Sequence, residues 1–121
     1  AIGQLRLVAH RTRAQVYEET GQTEKALDDW DAVLQAGEHP IYRLRKAVTQ
    51  ARSGDHAAAI KAVTELQAVE TIEDPAVLFH VATVYSQAAA AVEQDKQLEP
   101  SAAEQLLQQY LDEGTKFLKR L

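Results

Sequence analysis

Apolar residues recur along this chain at helical intervals, in six runs separated by Gly, Pro and polar breaks. Leu7, Ala14 and Tyr17, with Val8 and Val16 beside them, predict a first helix over 4–20. Gly21 and Gln22 break it, since Gly past a helix end adopts the left-handed conformation cheaply. Ala26, Leu27, Trp30, Val33 and Leu34 predict a second helix from Gln22 or Thr23 to Ala36, ended by Gly37. His39-Pro40 opens a third with Pro at the first helical position, and its stripe is Ile41, Leu44, Ala47, Val48 and Ala51. Ser53-Gly54 closes it, and Asp55 is the expected N-cap of a fourth helix to Val69 carrying Ala59, Ile60, Val63 and Leu66. Asp74-Pro75 opens a long fifth helix to about Glu93, with Leu78, Phe79, Ala82, Tyr85 and Ala89. A loop over 95–100 follows. Ser101 with Glu104 reads as a capping box for a last helix carrying Leu106, Leu107, Tyr110, Leu111, Phe117 and Leu118. Gly114 inside that helix costs ~1 kcal/mol relative to Ala, which a close approach by a neighbouring helix would explain.

The runs carry a repeat. Ala14, Gly21 and Ala26 return as Ala47, Gly54 and Ala59, each 33 residues on (47−14, 54−21, 59−26). Small residues at a fixed period mark stacked helical hairpins, in which one hairpin cannot bury its own apolar face but three stacked hairpins can. The expected hairpins are 4–37, 39–70 and 74–121, forming one domain over 1–121. Tyr17, Trp30 and Tyr85 are expected to fill gaps between them. The last helix is expected to cap the stack, with Glu104, Gln105, Gln108, Gln109 and Asp112 toward solvent.

The pattern Ala14, Tyr17, Gly21, Ala26, Trp30 and its second copy Ala47, Gln50, Gly54, Ala59, Val63 resemble the tetratricopeptide repeat (TPR) family. Gln50 departs from it, an aromatic being usual there. Ala82 and Tyr85 match in a third copy. After an insertion, Gly114 and Leu118 stand where Ala26 and Trp30 stood. The resemblance covers nearly the whole chain and implies an all-α fold, a right-handed superhelical stack of three hairpins. The segment from Leu78 to Ala89 and the closing segment from Tyr110 are further similar to repeat regions at the C-terminal end of some bacterial serine/threonine protein kinases. No kinase motif is present, so that likeness implies a regulatory or docking part of a larger protein.

Composition narrows the classes. The net charge of −5 argues against nucleic acid, whose phosphates need a basic surface. The absence of Cys excludes disulfides, thiolate metal sites and a Cys nucleophile. No 18-residue apolar run and no signal peptide are apparent, so no membrane partner is expected and the expected compartment is the cytoplasm. A start without Met suggests a fragment.

In the resembled family the first helices of the hairpins line a concave groove. That register implies Val8, Arg11, Gln15 and Glu19, then Ile41, Leu44, Val48 and Arg52, then Ala76, Phe79, Thr83 and Ser86. The peptide-binding residues expected are Arg11, Gln15, Leu44, Arg45, Val48, Arg52, Phe79 and Thr83. Leu44, Val48 and Phe79 would form an apolar centre flanked by Arg11, Arg45 and Arg52. The third helix carries Arg43, Arg45, Lys46 and Arg52 and no acid, which suits a protein segment with a carboxylate or phosphate. The alternative reading is that Leu44, Val48 and Phe79 pack between hairpins and the Arg residues form a solvated face. The known clamp for chaperone-tail carboxylates is not matched: Arg11, Gln15, Arg45, Ala76 and His80 occupy its positions and none is identical.

No catalytic, cofactor or metal site is expected. His39 and His56 read as solvated helix starts, and His10 and His80 as packing against or edging the groove. No paired-His metal spacing exists. Asp28, Asp29 and Asp31 read as a solvated acidic face around a core Trp30. Non-catalytic protein or peptide binding is the function expected. A spacer or self-association module is the alternative, with oligomeric state left open. A small-molecule sensor is the remote one, needing a pocket near Ala88–Ala91 and the 95–100 loop.

Overall fold

Short cap signals set the helix limits. In the computed structural model, which describes residues 2–121, the helices are α1 (Ile2–Glu19), α2 (Thr23–Ala36), α3 (Pro40–Arg52), α4 (His56–Val69), α5 (Pro75–Gln94) and α6 (Pro100–Lys119), with no strand among the described residues. Gly21 and Gly54 sit at φ +75° and +100°, where a side chain is strained. Around each, the same bonds end the helix. Gly21 N–H reaches Glu18 O and Gln22 N–H reaches Tyr17 O; Gly54 N–H reaches Ala51 O and Asp55 N–H reaches Gln50 O. The His39 ring accepts from Ile41 N–H at 3.2 Å, Asp55 from Ala58 N–H at 3.2 Å, and Asp74 from Ala76 N–H at 2.8 Å. The capping box expected at Ser101 does not form. Pro100 takes the first helical position, so the helix starts one residue earlier behind Glu99, with no side-chain cap.

Sequential helices pair: α1 packs on α2, α3 on α4 and α5 on α6. The pairs then stack, α3 against α2 and α5 against both α3 and α4. The repeated small residues Ala14, Ala47, Ala26 and Ala59 are all fully buried in the packed helices. Gly114 meets the expectation of close approach, because a Cβ there would lie 3.1 Å from the Tyr85 Cβ. Tyr85 in turn stacks on Phe117 at 5.9 Å, so it fills space within the third pair rather than between pairs.

The core has two parts. A large aliphatic cluster joins α3, α4, α5 and α6, including Leu44, Val63, Leu78, Val81 and Val84. A small one, Ala14, Trp30 and Val33 with Leu7 and Tyr42 against it, holds α1 and α2 to α3. α5 is buried along much of its length and is therefore apolar on several sides. Among the described residues it is the one helix long and apolar enough, by length and composition, to cross a membrane, and over half of that stretch is buried inside the fold.

Two polar residues read as solvated are buried. Asp29 is 3% exposed. It accepts two bonds from Arg13, at 2.7 and 2.8 Å, and one contact from His10 at 2.9 Å, so it is a bridge from α2 to α1. The Arg13 bonds hold its carboxyl below the usual range, against the opposing effect of burial. His56 is buried as well, between Asp95 at 3.0 Å and the Tyr110 hydroxyl at 3.4 Å. It ties the α5–α6 loop to α4, and its bond lowers the Asp95 pKa.

Candidate functional site

An open hollow of about 170 Å³ lies where α1, α3 and α5 meet, lined by Glu18, Arg45, Val48, Arg52, Phe79, His80 and Thr83. Helical spacing places these groups: Arg45, Val48 and Arg52 are successive positions on one face of α3, and Phe79 and Thr83 lie one turn apart on α5. Five of the residues expected from sequence therefore converge, namely Arg45, Val48, Arg52, Phe79 and Thr83.

Three expected residues stand apart. Leu44 is fully buried in the aliphatic cluster and presents no surface to a ligand, a correction to its expected place at the groove's apolar centre. Its position on α3 turns it toward α4 and α5 rather than outward. Arg11 is committed to Tyr42, donating to the hydroxyl at 2.7 Å with its guanidinium 5.6 Å from the ring centre. Gln15 is exposed on α1 outside the hollow.

Glu18 is the organising acid, and the sequence reading missed it. Its carboxylate accepts from the Trp30 indole N–H at 3.0 Å and from the Thr49 hydroxyl, and pairs with Arg45 at 3.5 Å. Arg45 lies over the Trp30 ring at 5.0 Å, a cation–π contact that fixes the guanidinium at the rim. The available signal was an acid one turn after the small Ala14, facing a helix that holds only basic charges.

The basic character of α3 is largely spent inside the fold. Arg43 pairs with Glu65 at 3.3 Å, Arg45 with Glu18, and Lys46 with Asp31 at 2.5 Å. Arg52 is exposed and makes no ion pair among the described residues, so it is the cation of α3 free to meet an anion. Across the hollow, Phe79 is 56% exposed and its ring meets the His80 ring edge-on at 5.8 Å. The Nδ1 of His80 is 2.7 Å from Ala76 O. A carbonyl only accepts, so Nδ1 carries the proton and Nε2 is left for another partner. Thr83 spends its hydroxyl proton on Phe79 O at 2.9 Å.

The arrangement offers a small apolar floor at Val48, an exposed aromatic wall, an unpaired guanidinium and one imidazole nitrogen. It is suited to gripping a side chain beside an anionic group. Among the described residues no three His, Asp or Glu side chains converge as a metal ion requires. Comparison with known protein families, with characterised proteins and with solved structures returns no match.

Proposed function

We propose that this chain is a non-catalytic binding module of tetratricopeptide type. In this reading the three helix pairs form a right-handed superhelical stack whose first helices line a concave groove for a protein segment. The 33-residue spacing of buried alanines and left-handed glycines supports the repeat, and the packing of α5 on α3 supports a shared groove face. One observation carries the function: an exposed Phe79 and an unpaired Arg52 flank the same hollow above Val48. Large exposed aromatics beside free arginines are the residue types that dominate binding surfaces. The segment held there carries an apolar side chain next to a carboxylate or phosphate. The likeness of the Leu78-to-Ala89 stretch to kinase repeat regions supports a docking or regulatory role within a larger protein.

The test is fluorescence anisotropy with an array of apolar-acidic, phosphorylated and neutral peptides. Anionic peptides are expected to bind best. Arg52→Glu should weaken the best binder at least tenfold, which corresponds to about 1.4 kcal/mol. Phe79→Ala should weaken anionic and neutral peptides alike. A best binder indifferent to both changes would refute the groove reading. Leu44→Glu is not a useful probe, because it buries an unpaired charge and unfolds the core.

A further inference from the structure

Among the described residues eight large apolar side chains are exposed, and six lie at the two ends of the stack: Leu5, Val8 and Val16 on α1, and Leu111, Leu118 and Leu121 on or after α6. The repeat register explains both sets. In the first two pairs, Trp30 and Val33, then Val63 and Leu66, are buried. They lie four and seven residues after Ala26 and Ala59. The third-pair equivalents, four and seven after Gly114, are Leu118 and Leu121, which are 52% and 57% exposed. Trp30 is covered by the next pair, through stacking on Tyr42 of α3. Among the described residues no helix pair packs over Leu118.

The converse holds at the other end. The face that α3 applies to the preceding pair includes Tyr42 and Thr49, and the α5 equivalents 35 residues on are the buried Val77 and Val84. Thirty-three residues before Tyr42 and Thr49 stand Ala9 and Val16, both exposed, with Val16 at 49%. Val8, Ala9, Thr12 and Val16 thus form an uncovered stripe on α1, opposite the face that carries Ala14. One end presents the docking half of the internal interface and the other presents its receiving half.

We infer that two copies of this chain join head to tail, α1 of one copy seating on the Leu118–Leu121 face of the next, in continuation of the contact that α3 makes on α2 and α5 on α4. The chemistry is closest to that of the second internal junction, aliphatic against aliphatic, with Val16 taking the place of Val84 and Leu118 that of Val63. Such a contact uses two different patches, so it propagates into a chain of copies or closes as a ring of more than two. It is separate from the groove and does not depend on that reading.

The test is mass by sedimentation velocity and light scattering, from micromolar concentration to ~1 mM. Val16→Glu and Leu118→Glu each change an exposed residue, and circular dichroism checks that each stays folded. The native chain is expected to grow past two copies with concentration. Each variant alone is expected to remain a single copy. An equimolar mixture of the two is expected to stop at a pair, because each supplies the end that the other has lost. A native chain of constant mass, a plateau at two copies, or a mixture that never pairs overturns the inference.

Discussion

The two junctions between helix pairs occupy the same place in the repeat and are built from different chemistry. At the first, Trp30 and Tyr42 stack at 6.4 Å, Arg45 covers the indole, and Glu18 accepts from Trp30 and Thr49. At the second, Val63 and Leu66 meet a wall that includes Val77, Val81 and Val84. Aliphatic contacts depend little on direction, whereas the first junction holds only while each donor finds its acceptor. The α1–α2 pair is therefore the part of the molecule expected to open first, and the aliphatic block of α3 to α6 the part that persists.

The largest expected effect is at the centre of each junction. Trp30→Ala should cost about 3–5 kcal/mol and release α1 and α2 while α3 to α6 stays folded. Amide exchange would show protection lost only before residue 37. Leu78→Ala should cost about 2–5 kcal/mol and lower the protection of α3 to α6 together. Loss of protection throughout the chain in the Trp30 variant would erase the distinction between the two regions.

Gly114→Val tests the aliphatic side from the opposite direction, by adding volume. With the Tyr85 Cβ only 3.1 Å from the first added carbon, overpacking should cost about 1–3 kcal/mol, read as a drop in Tm.

Acid acts on both regions, through Asp95 beside His56 in the aliphatic block and through Asp29 in the first pair, and the two losses can be read separately. Arg13, with a smaller contribution from His10, holds the Asp29 carboxyl below its ordinary pKa. A depressed folded pKa stabilises at neutral pH. That stabilisation disappears as pH falls from the unfolded value, about 4, through the folded one. Trp30 is the single tryptophan and follows Asp29 on α2, so its emission reports loosening of this pair. Asp29→Asn should cost about 1–3 kcal/mol at pH 7 and flatten the acid dependence of that emission. Solvent screening keeps the cost at the modest end, because Arg13 is more than half exposed. The smallest change is Asp55→Ala, which removes one cap of α4 and should cost about 1 kcal/mol in chemical denaturation.

Period and punctuation were legible in the sequence; pairing between charges was not. Six helices, the Asp55 cap, the helix starts at Pro40 and Pro75, the left-handed Gly21 and the crowded Gly114 follow from local rules and match the structure closely. Asp29 looked like its exposed neighbour Asp28, because nothing local distinguishes an acid that meets Arg13 across a helix pair from one that meets water. His56 was misplaced because its cover comes from Asp95 and Tyr110, 39 and 54 residues away. Leu44 was assigned to the groove by register alone, although the stripe that contains it is wide enough to turn some members inward. Five of the eight expected residues do line one hollow, on the faces of α3 and α5 that the register of the resembled family implied.

The matching turns at Gly21 and Gly54 bear on how such a molecule lengthens. The backbone leaves both glycines through the same left-handed bend and the same pair of closing bonds. A gene segment copied from just after one to the other would rejoin the chain at equivalent geometry and add one helix of each kind. The side chains are less interchangeable than the turns: Ala51 stands 33 residues after Glu18, so a copied Trp30 and Thr49 would lose their shared acceptor. Unequal recombination at these two points is thus a low-strain route for the backbone to longer or shorter versions of the protein, and the first junction is the contact that each such version has to rebuild.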